Sequence, residues 1–152
     1  MDPVEAKLET LGWKLPAAPV PGGSYVPFRI NGSTLILAGV ISARDGVVTA
    51  GQVGREQTVV AAHAAAQLCA LNTLAAIKLA LGRLDRVREF LFVSGYVNGV
   101  AGFDQSPQVI NGASELFVAL YGEAGRHARA AVAVAGLPRN ASVEIQATVR
   151  FE

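Results

Sequence analysis

The longest periodic segment in this sequence runs from about Gln57 to Leu81, where Val60, Ala64, Leu68, Leu71, Ala75 and Leu79 recur every three or four residues before Gly82 closes the run. That spacing predicts one long helix. Ala61, Ala62, Ala65, Ala66 and Ala70 leave little side chain between the helix and its neighbour, so a close approach to a sheet is expected. With 152 residues the chain has the size of a single domain, and a helix this long must organise its core.

Strands are predicted on both sides of it. Tyr25 to Ile30 and Thr34 to Val40 are β-rich runs joined by Asn31-Gly32-Ser33, and an Asn-Gly pair between such runs is a strong hairpin signal. Val87 to Val97 is apolar on both pleat faces, with Leu91, Val93 and Val97 set against Phe90, Phe92 and Tyr96. This predicts a strand covered by helix on one side and by another subunit on the other. Ser106-Pro107 supplies an N-cap and a first-turn proline for a second helix, on which Val109, Ala113, Leu116 and Leu120 lead to Gly122. Ala130 to Ala135 and the strictly alternating Val143 to Phe151 are the last two strands. Ahead of all these, Pro3 to Leu11 has the pattern of a short helix closed by Gly12, and Leu15 to Gly23 reads as an extended, proline-rich crossing. Two strands, a long helix, a strand, a helix and two strands make an α+β protein, one sheet with its helices on one face. The expected organisation is a helical arm over residues 1–18 and one domain over 19–152.

Composition narrows the partners. Half the residues are hydrophobic and 16% are charged, an apolar excess that predicts an oligomer. Thirteen basic and 12 acidic residues provide no basic stripe for nucleic acid. The lone Cys69 excludes an intrachain disulfide, and with His63 and His127 it cannot assemble a soft metal cluster, so neither metal nor cofactor is expected. The opening MDPVEAKLETLG is unlike a signal peptide, and no uninterrupted apolar run is read as a bilayer span. A soluble, cytoplasmic protein is expected.

Three stretches together resemble the YjgF/RidA family, also called endoribonuclease L-PSP. They are ALNTLAAIKLALGRLDRV (Ala70 to Val87), GGSYVPFRINGSTLILAG (Gly22 to Gly39) and R-x-x-V-x-V-x-x-L-P with a following V-E-I (Arg129 to Ile145). The resemblance covers nearly the whole chain from about Pro19. It implies a chorismate-mutase-like fold with an extra N-terminal helix, a barrel-like homotrimer with ligand clefts between subunits, and hydrolysis of reactive enamines and imines to 2-keto acids and ammonia. By the same resemblance Arg129, at the right distance from Leu137-Pro138, binds the substrate carboxylate, and Arg126 is a loop residue. Tyr25, Gly39 and Asn111 would contribute to substrate binding, and Glu144 would hold the attacking water. Ala131 stands where many members have cysteine, and Ala38 and Val40 flank Gly39 where serine and glutamine are usual, which implies a divergent subgroup.

The residues also have readings of their own. A guanidinium binds a carboxylate as a planar fork and stays charged when half-buried, so Arg129 suits an acid ligand; a lone arginine at a strand end more often pairs structurally or reaches solvent. Glu144 could equally be a polar residue on a wet strand face, like Gln146 and Thr148. A tyrosine at a strand start usually packs, and an asparagine early in a helix usually caps or faces water. Both histidines read as structural, and Cys69 as a buried, inert thiol. The expected function is binding of a small carboxylic or 2-keto acid at a subunit interface with imine or enamine deaminase activity. A non-catalytic ligand-binding trimer is the alternative, and an endoribonuclease the less favoured one.

Overall fold

The computed structural model describes every residue from Met1 to Glu152. Helix α1 (Pro3–Thr10) begins where Asp2 Oδ1 accepts from the N–H groups of Val4 and Glu5, at 2.8 and 3.4 Å. The other oxygen of Asp2 accepts from the amides of Leu84 and Asp85, so one side chain both caps the helix and fastens it to a distant turn. Leu8 completes the docking and lies fully buried in the main core.

The strands are β1 (Phe28–Asn31), β2 (Thr34–Leu37), β3 (Val40–Ile41), β4 (Ala43–Arg44), β5 (Val47–Val48), β6 (Val87–Asn98), β7 (Ala128–Val134) and β8 (Val143–Phe151). The main sheet has the order β1-β2-β8-β6-β7, with β3 continuing alongside β8 and only the β6–β7 pair parallel. Helices α2 (Val59–Leu81) and α3 (Ser106–Tyr121) lie on one face. On that face β8 contributes Val143, Ile145, Ala147 and Val149, all essentially inaccessible to solvent. A Cβ on Gly95 would stand 2.5 Å from Ile110, so glycine is what lets α3 settle on β6. The mixed α+β architecture read from the element order is the one observed.

Three details differ from expectation. The first concerns which stripe of α2 faces inward. Leu71 and Ala75 of the expected stripe are buried, but Val60, Ala64 and Leu79 are exposed, and the burial that runs the length of the helix follows Ala62, Ala65, Ala66, Cys69, Ala70, Thr73, Ala76 and Ile77. The helix is apolar nearly all round, so hydrophobicity could not select the stripe; close approach did, and it favours the small residues. Although α2 has the length and hydropathy to cross a bilayer, 67% of its most apolar 18-residue window is buried inside the protein.

The second is on β6, where a register shift between Phe90 and Phe92 turns Phe90 inward beside Val93 and Val97. Phe90 then stacks on Phe117 of α3 with ring centroids 4.3 Å apart, and Phe92 stays on the open face. The third is at the hairpin. Its second strand does not run through to Val40: four residues separate Ile36 from Val40, but only three separate their partners Thr148 and Ile145 on β8. The extra residue is a bulge at Ala38-Gly39, and the free Leu37 carbonyl accepts from the Gln146 side-chain amide at 3.0 Å. Smaller shifts put the α3 cap at Gln105 rather than Ser106 and add the short β4–β5 hairpin about Asp45-Gly46.

Candidate functional site

The bulge positions the first group of candidate residues. Gly39 leaves the strand ladder beside Glu144, and the two are so close that a Cβ at position 39 would stand 2.7 Å from Glu144 Oε2. A side chain at position 39 would displace the Glu144 carboxylate, so glycine is what lets the acid lie against the bulge. Glu144 is half-buried, and burial raises its carboxyl above the ordinary carboxylate range. Both residues line a cavity of about 560 Å³ together with Tyr25, whose hydroxyl accepts from the Gly22 amide at 3.2 Å. The proline-rich crossing and the β4–β5 hairpin form the other walls. Asn72 of α2 holds that hairpin from below, its Nδ2 donating to the carbonyls of Ile41 and Ala43 at 3.1 and 2.9 Å.

The second group forms around Arg129, early in β7. Its Nη1 donates to Asn111 Oδ1 at 2.7 Å and to Ser114 Oγ at 3.1 Å, both on α3. Two helix side chains thus hold one nitrogen of the guanidinium, and the edge formed by Nε and Nη2 has no partner within the chain. That edge is the fork that binds a carboxylate through two parallel hydrogen bonds. Behind it, His127 Nδ1 lies 2.8 Å from the Gly125 carbonyl and Nε2 lies 2.9 Å from Ser114 Oγ. With the proton on Nδ1 the ring is neutral, and Ser114 donates to Nε2 while accepting from Arg129. Burial, and secondarily the Arg129 charge, lower the His127 pKa and favour this arrangement. Arg126 lies outside the cluster, exposed after a short 3-10 turn.

Neither Ser114 nor His127 was singled out as a site residue from the sequence. Ser114 lies in mid-helix and His127 thirteen positions away in a loop, and no spacing rule joins them. Cys69 is buried with its thiol pKa pushed well up by desolvation, which leaves it unreactive.

The two groups do not meet. Arg129 is paired with Val93, on the helix-covered face, whereas Glu144 is paired with Tyr96, on the open face. They are two strand spacings and three residue rises apart, roughly 14 Å between Cα atoms, with side chains on opposite sides of the sheet. A second concavity, about 760 Å³, follows the β7 edge past Ala131 to Ala135 with Gln52, Arg55 and Phe103, and it contains neither Arg129 nor Glu144.

Comparisons with known proteins bear on the family and the fold. Residues 5–147 match the family described as "YjgF/chorismate_mutase-like, putative endoribonuclease". Protein TCP17 of Trypanosoma cruzi is 43% identical over 150 residues, covering 97% of this chain and 94% of its own. The crystal structure of Atu1372 from Agrobacterium tumefaciens, a protein of unknown function, is 45% identical and superposes with a TM-score of 0.92, covering 98% of this chain and 92% of its own. The Escherichia coli YjgF gene product is more distant, at 25% identity and a TM-score of 0.65 over 88% of this chain and 92% of its own.

Proposed function

This chain belongs to the YjgF/RidA family, and on that footing we propose that it is a homotrimeric imine and enamine hydrolase that acts on small 2-imino acids at sites shared between subunits. The observation that carries this reading is the separation of two prepared half-sites. One is a carboxylate fork with its binding edge free, and the other is a half-buried carboxylic acid facing a cavity. Each lacks what the other supplies, and a copy of the chain is the simplest partner to supply it. The open sheet face favours such an assembly, because Ile36, Phe92 and Val132 expose 44, 39 and 48% of their surface there, beside Tyr96. Within a single chain β7 is an edge strand whose outer backbone groups are available to a neighbour.

In the shared site, Arg129 of one subunit fixes the substrate carboxylate, and Tyr25 and the Gly39 amide of another orient the C=N end. Glu144 takes a proton from water as the oxygen attacks the imine carbon. Water adds in this way to the protonated imine and gives a neutral carbinolamine, which then collapses: Glu144 returns the proton to nitrogen, the C–N bond breaks as the hydroxyl oxygen becomes the carbonyl and gives its own proton to Glu144, and a 2-keto acid and ammonia leave. A carboxyl group with a raised pKa is suited to both transfers, since it exchanges protons closer to neutrality. The substrate is already electrophilic, so positioning and one acid–base group suffice.

Keto acid release from an iminobutyrate generated in the assay tests the reading. The protein should accelerate release above the buffer rate, and Glu144→Gln should lower kcat about 10²-fold or more while leaving acid binding in place, as expected for loss of a general acid–base. A parent protein that binds 2-ketobutyrate without accelerating hydrolysis would instead support a non-catalytic ligand-binding trimer.

A further inference from the structure

Besides Glu144, the cavity is lined by two arginines and by Asp45, none of them with a role in the chemistry above. Arg44, on the β4–β5 hairpin, and Arg139, immediately after Leu137-Pro138, both line it. Neither is committed to a firm ion pair. Arg44 Nε lies 3.9 Å from the carboxylate of its exposed neighbour Asp45, beyond hydrogen-bond reach, and Arg139 makes one long contact, Nη2 to the Gly46 carbonyl at 3.5 Å. Nor do they neutralise Glu144, whose raised pKa reflects burial with no opposing pull from either guanidinium. Both arginines are placed by the β4–β5 hairpin, Arg44 on β4 and Arg139 against the Gly46 carbonyl of its turn, whereas Glu144 lies against Gly39 at the bulge.

The chain around them is built to keep them there. Arg139 and Asn140 both adopt left-handed backbone angles, with φ of 55° and 56°, a conformation that non-glycine side chains adopt only when neighbouring structure enforces it. Enforcement comes from Asn98, which donates to Asn140 Oδ1 at 3.3 Å and to the Ala141 carbonyl at 3.1 Å. The kink directs Arg139 across to the hairpin turn, and Asn72 holds that hairpin from the other side. At about 560 Å³ the cavity is also larger than a three- or four-carbon acid fills, within the roughly 300–1,000 Å³ range of sites for bigger ligands.

We infer that Arg44 and Arg139 form a distal anion subsite, so that the preferred substrates are 2-imino acids with a second carboxylate on the side chain. The inference rests on the shared-site reading: the first carboxylate goes to Arg129 of one subunit, the C=N carbon lies at Glu144 of another, and the side-chain carboxylate extends to the arginine pair. A carboxylate is the favoured anion because imines of this kind derive from amino acids, whose second acidic group is a carboxylate. Guanidinium forks match it bidentately.

Calorimetry with two stable keto acids tests this, using 2-ketobutyrate with one carboxylate and 2-oxoglutarate with two. The parent protein should bind 2-oxoglutarate at least about tenfold more tightly, the effect of one charge-assisted hydrogen bond. Arg44→Gln and Arg139→Gln should each reduce that ratio, and the double variant should abolish it, with assembly checked by light scattering. A parent ratio near one, or a ratio that survives the double variant, overturns the distal subsite and leaves the shared-site reading intact. Arg129→Ala separates the two ideas, because it should weaken both acids together. If both acids bind Arg129→Ala as they bind the parent, the shared-site reading falls and this inference falls with it.

Discussion

At the scale of single residues, the site depends on how Arg129 is held. Asn111 and Ser114 hold Nη1, so the free edge is oriented before a ligand arrives and little rotamer entropy remains to be lost on binding. Arg129→Lys keeps the charge but loses the fork, and Arg129→Ala loses both. Calorimetry with 2-ketobutyrate should show weaker binding for each, with alanine the worse, while Arg126→Ala binds like the parent. The family resemblance, through the distance to Leu137-Pro138, favoured Arg129 over Arg126, and the structure holds Arg129 against α3 while Arg126 lies exposed. The Ser114–His127 pair behind Arg129 was not legible in the sequence, because only the fold brings a mid-helix serine to a loop histidine. His127 also introduces a pH dependence. Burial holds its pKa below the ordinary histidine value of about 6.5, so the unfolded chain takes up a proton that the folded protein resists. This contribution to stability is complete above the unfolded value and is lost as pH falls from about 6.5 toward the lowered folded value. Urea midpoints should therefore decline between pH 7.5 and 5.5, and His127→Gln should decline less over the same interval.

At the scale of elements, what mattered was which residues could come close. Gly112 lies where α3 crosses α2, and a Cβ there would run into the His63 carbonyl and press against Ala66 at 3.2 Å. Gly112→Ala forces the helices apart and should cost about 1–3 kcal/mol in chemical denaturation, even though alanine is the better helix former. The existence of α2 and the burial of Leu71 and Ala75 at its middle followed from its periodicity, but its facing toward the ends did not, since Val60, Ala64 and Leu79 are as apolar as the residues that are buried. Bulges were hidden for a related reason. Leu37-Ala38-Gly39-Val40 reads as uninterrupted strand, and only the pairing with β8 shows that one residue is extra. That bulge places Gly39 against Glu144, so a feature of the candidate site arises from register, which local sequence specifies weakly. Asp45-Gly46 did carry a hairpin signal, and the flanking strands are only two residues each.

At the scale of the whole molecule, the central claim is that one chain holds two halves of different sites. The motifs around Arg129 and Glu144 were legible as members of one constellation, yet sequence proximity concealed that β7 and β8 direct them to opposite faces of the sheet. Complementation between subunits tests this directly. Arg129→Ala and Glu144→Gln should each form trimers by light scattering and each be inactive in keto acid release. When the two variants are unfolded together in equal amounts and refolded, random assembly should place an intact Arg129 opposite an intact Glu144 at about one quarter of the interfaces. The account predicts that the mixture regains about that fraction of parental activity, whereas separately refolded variants combined afterwards regain none. A mixed trimer no more active than its parents would contradict it.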